Sequence, residues 1–586
     1  MRFELRVKNW RSYLPILDVA AQYRPTDLVR DLVAGLIVGV VTVPQAMAYA
    51  YLAGLPPEAG LYACLLPMLI YTLLGSSRHL VVGPVAVAAL MVAAAIGEHA
   101  PSYGNDHLGI AIILSLQVGI VLWLLRLWQM GGLVNLLSHP VITGFINAAA
   151  LLIVFSQLPS FLGLSGQSFD SPVGQAVWLA EHVSEAGWLA MLVGASSLAF
   201  LWLFPRFMNA VRERVSWLSS TSFARMGPML LVLLAIGAVW LFEPAGLRTV
   251  GFVPEGMPVW TVPPFEVQLW LDLLPSASMI AVVAYVESYS IGTTLAAREL
   301  TRLNSNQELI ALGAANLGAA FTGAYPVAGS FSRSSVNYDS GARSPISSVF
   351  CAIVIIGTLL FLTPIFEFLP TAVLAAIVVI SVFNLMDFRS TVSHWRIHRE
   401  DAIAGTITLV TVLVFGVETG LLTGVALSLA FFVRSSSRPK VTPIGRVGDT
   451  EHFRSIRRHD VRTVRHVLAL RIDENIYFAN ANQVENKIVK SVQRRAGTEH
   501  LLLVCSAVNM IDVTGVEMLV RLNRRLARSG VTLNLAEVKD SVLDPLESAD
   551  VRDTLSGRVF FTTDQAMRAL EGNPPEEQAR LFDTAA

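Results

Sequence analysis

The sequence is short of charge and of cysteine. Charged residues make up 15% of its 586 positions, whereas hydrophobic residues make up 53%. A chain of this length with so little charge is too apolar for an ordinary water-soluble enzyme, so a lipid bilayer is its expected solvent. The three cysteines, Cys64, Cys351 and Cys505, lie far apart. Their spacing excludes a disulfide framework and a CxxC metal site, and indicates small packing residues.

An excess of charge of either sign is also missing, because the formal net charge is −1. No strongly basic surface is therefore available to recruit nucleic acid. The chain has no Walker A run, so ATP hydrolysis is not expected. We accordingly predict no enzymatic activity, no cofactor, no metal site and no nucleic-acid partner.

Long apolar runs dominate the first three quarters of the chain. Many are long enough to span, or nearly span, the roughly 30 Å hydrocarbon core of a bilayer. We predict fourteen membrane segments, two of them short and interrupted. Their approximate bounds are 32–53, 57–76, 84–98, 108–128, 140–163, 188–205, 227–243, 275–297, 306–324, 329–341, 345–367, 370–386, 401–416 and 418–433.

The distribution of Lys and Arg predicts the orientation, since these residues concentrate in cytoplasmic loops. If the N-terminus is inside, the basic connections all fall inside too. These connections are at Arg78, Arg126, 206–225, 298–302, Arg343 and 389–399. The opposite loop at 163–187 carries acids but no Lys or Arg. An even number of segments then places both termini in the cytoplasm.

The composition changes after residue 433, where RSSSRPK (434–440) begins a charged region with only strand-length apolar runs. We predict strands at 466–472, 500–505 and 531–536, alternating with helices at 481–495, 513–528 and 541–549. The predicted domains are a cytoplasmic N-terminal segment (1–31), a transmembrane domain (32–433), a linker (434–449), a small α/β domain (450–572) and a tail (573–586).

Two membrane segments are broken by Gly and Pro, in RHLVVGPVA (78–86) and GAYPVAGSFSRS (323–334). Both carry Pro-Val-Ala and both are the third segment of a set of seven, as in inverted-repeat transporters. Irregular backbone at membrane depth is tolerated only in protein or along a cavity. Two helix N-termini meeting there would form an anion site. The alternative is that Gly and Pro only permit tight helix packing.

Two intramembrane charges accompany these breaks. Arg333, beside hydroxyls in the second break, is costly at that depth and should face a cavity, a counter-charge or a ligand. A snorkelling or purely structural arginine is the alternative. For Glu287, burial opposes ionisation while a nearby arginine favours it, so a proton-titrating role and a fixed ion pair both remain open.

The residues of the first segment resemble the signature of the SulP sulfate-permease family. The similar stretch is DLVAGLIVGVVTVPQAMAYAYLAGL (31–55), continued by GLYA (60–63). Further similar stretches are GPVA (83–86), GSFSRSSVN (329–337) and GAR (341–343), and the tail is similar to a STAS domain. The resemblance implies a seven-plus-seven inverted repeat, with a core domain (segments 1–4 and 8–11) and a gate domain (5–7 and 12–14). It also implies an elevator-like cycle and a homodimer.

The same resemblance assigns residues to the substrate pocket. Gln45 would supply an amide donor and Tyr49 an aromatic wall. Val85 and Ala86 would present the end of the third-segment helix. In the tenth segment, Ser332 and Arg333 would play the corresponding part.

Glu287 occupies the eighth-segment position where family members place a carboxylate linked to cation or proton coupling. Ile291 stands four residues on, where sodium-dependent bicarbonate members have a hydroxyl; it cannot ligate sodium, which favours protons. In the STAS-like tail, CSAVNMIDVTG (505–515) is similar to the phosphorylated loop of anti-sigma-factor antagonists. Thr514 is a possible regulatory residue there, or simply a helix cap, and Cys505 replaces the usual acid.

We therefore expect secondary active uptake of a small oxyanion, sulfate first, coupled to protons through Glu287. A bicarbonate or dicarboxylate carrier is the alternative within the transporter class, because helix ends and one arginine recognise charge more than identity. A passive anion conductance and a membrane scaffold whose STAS domain binds a cytosolic protein are the alternatives from other classes. The absence of an N-x-[ST] sequon agrees with a bacterial inner membrane as the location.

Overall fold

The computed structural model describes residues 13–132, 138–164, 172–212, 226–244, 246–383 and 386–572. The predicted tail 573–586, the first twelve residues of the predicted N-terminal segment and part of the basic loop 206–225 lie outside these ranges. The chain forms two compact units, Met1–Ser428 and Leu429–Ala586.

The first unit is helical. Its helices are α1 (Ile16–Gln22), α2 (Pro25–Leu52), α3 (Pro57–Tyr62), α4 (Leu66–Leu74), α5 (Ala86–His99), α6 (His107–Leu127), α7 (His139–Leu162), α8 (Pro172–His182), α9 (Trp188–Arg212), α10 (Gly227–Phe242), α11 (Val267–Arg298), α12 (Ser305–Phe321), α13 (Phe331–Asp339), α14 (Ser347–Phe361), α15 (Thr371–Phe383), α16 (Phe388–Ile397), α17 (Arg399–Phe415) and α18 (Val417–Ser436). Eight helical stretches in the described ranges are long and apolar enough to cross a membrane, and shorter apolar helices accompany them.

These helices follow the predicted membrane segments to within a few residues at most ends. The number fourteen stays a prediction, because several of the helices are too short to span a bilayer by length alone. Two helices, α8 and α16, lie where the sequence predicted loops, which is a correction. No residue of α16 is buried. Its polar surface kept it from registering as an apolar run.

Two groups of helices can be distinguished by their packing. Helices α2 to α6 pack with α11 to α14, whereas α7, α9 and α10 pack with α15 and α17. Small residues allow close approach within these groups. At Gly144 of α7, an added Cβ would lie 2.2 Å from the carbonyl oxygen of Gly405 in α17, so a larger residue has no room there.

The two broken segments contribute the short strands β1 (Val82–Gly83) and β2 (Ala328–Gly329). The strands pair antiparallel, with Val82 opposite Gly329 and Gly83 opposite Ala328. Helix α5 begins three residues after β1, and α13 begins two residues after β2. The predicted discontinuity of both segments is therefore present, and the two breaks meet.

The second unit is an α/β domain. Its strands are β3 (Val441–Arg446), β4 (Phe453–Ser455), β5 (Val467–Ile472), β6 (His500–Val504), β7 (Thr532–Ala536) and β8 (Val559–Phe560), and its helices are α19 (Ala481–Gln493), α20 (Val513–Arg528), α21 (Asp540–Ser548), α22 (Val551–Thr554) and α23 (Thr563–Leu570). The sheet order is β4-β3-β5-β6-β7-β8. Strands β5 to β8 run parallel to one another, whereas β3 pairs antiparallel with both β4 and β5.

All three predicted strands and all three predicted helices of this domain are present at nearly the predicted bounds. The stretch 434–449 differs from the predicted linker, because β3 lies within it and pairs with β5. Pro443 explains the omission, since a proline argues against a strand in a sequence. The apolar faces of β5 to β7 and of α19 and α20 form the core of the domain.

Candidate functional site

The backbone of the two breaks is tied together beyond the strand pairing. The amide of Ser330 donates to the carbonyl of Val81 at 3.1 Å. In return, the amide of Val81 donates to the Ser334 hydroxyl at 2.9 Å. Hydrogen bonds thus join the two breaks, which are far apart in the sequence, just before α5 and α13 begin.

Each break ends in a helix N-terminus. Helix α5 begins after Val85, which has no side-chain cap, and Pro84 before it has no amide to contribute. Helix α13 is capped by Ser330, whose hydroxyl accepts from the Arg333 amide at 3.5 Å. First-turn amides carry partial positive charge, so both helix ends favour a negative ligand.

Arg333 lies between the two breaks and is completely buried. Its Nη2 donates to the carbonyl of Pro84 at 2.7 Å, which joins α13 to the first break. Its Nε and Nη1 are buried without a hydrogen-bond partner. A Cβ on Gly83 would lie 3.1 Å from Nη2, so this glycine lets the guanidinium approach the backbone. A buried cation with open donors suits an anion, because unpaired buried charge is costly.

The other predicted pocket residues fall into two sets. Val85 packs with Ala88, Ala284 and Ala328 in one apolar cluster, which brings α5, α11 and β2 together. Ala86 is buried at the start of α5. Ser332 is partly buried on α13.

Gln45 and Tyr49 lie one turn apart on α2, which packs against α5 and α13. Both are buried, and the Gln45 side-chain oxygen Oε1 has no hydrogen-bond partner. Tyr49 is close enough to Arg333 and Glu287 to interact electrostatically with both. The structure therefore brings these two predicted residues to the same region as the breaks.

Glu287 lies on α11 and lines a narrow cavity of about 30 Å³. Apolar residues form the rest of the wall, including Val87 of α5, Phe145 of α7 and Leu421 of α18. Arg333 acts on Glu287 electrostatically. Among the ion pairs of the described residues, none joins the two side chains directly. Glu287 thus lines a cavity bounded by α5, α7, α11 and α18.

Three further residues near the breaks are functional candidates that were not predicted from the sequence. The Ser288 hydroxyl accepts from the amide of Gly329 at 2.7 Å. The Asn316 side chain accepts from the Val327 amide at 2.9 Å and donates to the Val327 carbonyl at 3.0 Å. Tyr325 is completely buried and its hydroxyl has no partner. The only signal for them in the sequence is a polar side chain inside an apolar segment, which does not reveal the partner.

In the α/β domain, the N-cap of α20 is Asp512, so the interpretation of Thr514 as a cap is wrong. Asp512 accepts from the Gly515 amide at 2.8 Å and from the Phe478 amide at 2.8 Å. Carboxylates cap better than threonine, which explains the choice. Thr514 is partly buried in the first turn, and a regulatory role for it stays a prediction. Cys505 is buried, and burial raises the pKa of its thiol to about 12.

A multi-pass helical unit with two discontinuous helices that meet around a buried arginine defines a membrane transporter fold. The sequence comparisons agree with this class. The model of the "Sulfate permease family" matches residues 28–408, and that of the "STAS domain" matches residues 458–566. The chain therefore belongs to the sulfate permease family and carries a C-terminal STAS domain.

Similar curated proteins include "Sulfate transporter 4.1, chloroplastic" of Arabidopsis thaliana, 34% identical over 95% of this chain and 82% of the relative. "High affinity sulfate transporter 2" of Stylosanthes hamata is 30% identical over 94% of this chain and 85% of the relative. The family consists of transporters, which confirms that the chain is not an enzyme. The two family matches also confirm the predicted resemblance to the sulfate-permease family and to a STAS domain.

Solved structures show the same fold. The murine Solute Carrier 26 family member A9 anion transporter, in the inward-facing state, matches with a TM-score of 0.87 at 23% identity, over 97% of this chain and 96% of that one. The transmembrane domain of the cyanobacterium bicarbonate transporter BicA matches with a TM-score of 0.58 at 20% identity, over 70% of this chain and 98% of that one. The predicted fold class, a polytopic helical protein with a STAS domain, is confirmed.

Proposed function

We propose that this chain is a secondary active transporter of small oxyanions, sulfate first, that moves its substrate together with protons. One observation carries the proposal: the two broken segments pair as β1 and β2 around Arg333, whose Nε and Nη1 are buried without partners. The names of the sulfate transporters to which the chain is similar support sulfate as the first substrate to test.

The binding step follows from the charges at the breaks. The first-turn amides of α5 and the guanidinium of Arg333 attract an anion and offer several buried donors. Gln45 and Ser332 add neutral polar groups, and Val85 and Ala86 hold the helix end in place. Several donors converge there, so an anion with several oxygens, such as sulfate, can accept more than one hydrogen bond.

The coupling step follows from the position of Glu287. An ionised carboxylate near the site repels a divalent anion, whereas a protonated one does not. Anion binding and protonation of Glu287 therefore favour each other, and thermodynamic linkage makes the effect reciprocal. The Ile291 side chain offers no oxygen to a sodium ion, which favours the proton as the coupling ion.

The two helix groups support an elevator-like movement. Both breaks belong to the group of α2 to α6 with α11 to α14, which would carry the anion as a core past a gate of α7, α9, α10, α15, α17 and α18. We further propose a homodimer in a bacterial inner membrane, with both termini in the cytoplasm and the STAS domain available to a cytosolic partner. Positive-inside loop charges support the orientation.

The test is uptake of radiolabelled sulfate into proteoliposomes under an imposed pH gradient. We expect the gradient to stimulate uptake, and Glu287→Gln to abolish the stimulation because the side chain can no longer titrate. Glu266→Gln is the matched control, since Glu266 is exposed at the start of the same helix and makes no cap bond. Equal uptake with and without the gradient removes the proton-coupling proposal.

A substrate panel separates the alternatives. Stronger competition by bicarbonate or a dicarboxylate than by sulfate would reassign the substrate within the transporter class. Linear, non-saturating anion currents would indicate a passive conductance. Capture of a cytosolic protein by the STAS domain, with no transport of any anion in the panel, would indicate a scaffold.

A further inference from the structure

One buried hydroxyl joins the helix that carries Glu287 to the second break. The Ser288 side chain is completely buried. Its Oγ accepts a hydrogen bond from the amide of Gly329 in β2 at 2.7 Å and donates one to the carbonyl of Ala284 in its own helix at 2.5 Å. With both roles satisfied, the hydroxyl fixes α11 to the strand that pairs with the first break.

The two neighbouring residues on α11 face different structures. Successive helical positions are about 100° apart, so Glu287 and Ser288 point to different sides. Glu287 faces the cavity walled by α5, α7 and α18, whereas Ser288 contacts β2. A shift of α11 caused by a change of charge at Glu287 would therefore reach β2 through the Ser288 side chain.

The Gly329 amide depends on the Ser288 hydroxyl as its hydrogen-bond acceptor. It is buried in β2, and a buried amide without an acceptor is destabilising. Gly329 also pairs with Val82, so a displacement of β2 reaches the first break as well. The hydroxyl is bonded both to its own helix and to β2, which restricts rotation of the Ser288 side chain. A movement of α11 is therefore transmitted to β2.

We propose that Ser288 is a positioning residue that transmits the charge state of Glu287 to the anion-binding breaks. This inference rests on the proposed function, because it assumes that Glu287 titrates and that the breaks bind the anion. Among the described residues, the ionisable groups that act on Glu287 are Arg333 from α13 and Tyr49 from α2. Neither contacts the Ser288 hydroxyl, whose two hydrogen-bond partners are the Gly329 amide and the Ala284 carbonyl.

A double-mutant cycle tests the inference on the purified full-length chain. Sulfate affinity is measured calorimetrically at alkaline pH for wild type, Glu287→Gln, Ser288→Ala and the double variant. Direct repulsion between Glu287 and the anion acts with or without the Ser288 hydroxyl and is additive. We expect the effect of Glu287→Gln on the Kd to be about fivefold smaller in the Ser288→Ala background, within the range found for coupled residues.

Ser278→Ala is the matched control, because the Ser278 hydroxyl lies on the same helix and donates to the Leu274 carbonyl of that helix. Its cycle with Glu287→Gln should be additive. Ser288→Thr, which keeps the hydroxyl, should restore the coupling. An unchanged effect of Glu287→Gln in the Ser288→Ala background, with the variant folded as judged by its thermal transition, overturns the inference.

Hydrogen exchange of peptides covering 324–331 gives a second readout. We expect Ser288→Ala to raise exchange of the Gly329 amide, and Glu287→Gln to alter exchange of this segment only when Ser288 is present. Equal responses in both backgrounds would contradict the transmission. Failure of the wild type to bind sulfate at all would instead refute the proposed function, so the two failures are distinguishable.

Discussion

Replacement of Arg333 by glutamine tests the electrostatic basis of the site. In the wild type, the guanidinium nitrogens Nε and Nη1 are buried without a hydrogen-bond partner. The third nitrogen, Nη2, donates to the Pro84 carbonyl at 2.7 Å. A net hydrogen bond to a charged group is worth about 1.5–3 kcal/mol. The glutamine amide can replace a neutral contact but not the charge. A loss of about 2 kcal/mol corresponds to roughly 30-fold weaker sulfate binding.

The assay is calorimetric titration of the purified full-length chain with sulfate. Arg343→Gln is the matched control, because Arg343 is exposed and its loss changes the net charge equally. Arg333→Lys keeps the charge with fewer donors and should fall between wild type and Arg333→Gln. Unchanged sulfate affinity in Arg333→Gln, with the thermal transition retained, would refute the assignment of Arg333 to the anion.

Three further predictions concern packing and reactivity. Gly329→Val should weaken sulfate binding, because even a Cβ there would lie 2.7 Å from the buried Leu80 side chain, which must then move; Gly357→Ala, with open space around it, should leave binding intact in the same titration. Asp31→Asn should lower the thermal transition of the chain, because a neutral amide weakens bonds now accepted by a buried carboxylate; a loss of about 1.5–3 kcal/mol is expected, and an unchanged transition would contradict it. Cys505 should resist maleimide at neutral pH in the native chain and react after denaturation, since burial raises its thiol pKa to about 12 and leaves little thiolate; rapid native labelling would show that the residue is accessible.

Much of the fold could be predicted because its signals are local. A run of apolar residues is sufficient to locate a membrane helix, and Gly-Pro at 83–84 is sufficient to locate a break. In the STAS domain, the period of the apolar residues gave the strands and helices within a few positions. Helix α16 and strand β3 were missed for the converse reason, since α16 contains no long apolar run and β3 is interrupted by Pro443.

The partners within the site could not be predicted in the same way. Ser288 binds an amide 41 positions away, and Arg333 binds a carbonyl 249 positions away. Nothing in the local sequence specifies such pairs, because they depend on how the helices pack. The family resemblance assigned Arg333, Glu287 and Gln45 by position, but it gave no information about which of their atoms are free for a ligand.

The most direct measurement is an experimental structure of the full-length chain with selenate, a sulfate analogue whose selenium gives an anomalous signal. We predict one strong selenium peak between the N-termini of α5 and α13, with selenate oxygens within hydrogen-bond distance of Arg333 Nε or Nη1. A selenium peak elsewhere in the helical unit, with no anion between these two helix ends, would contradict it.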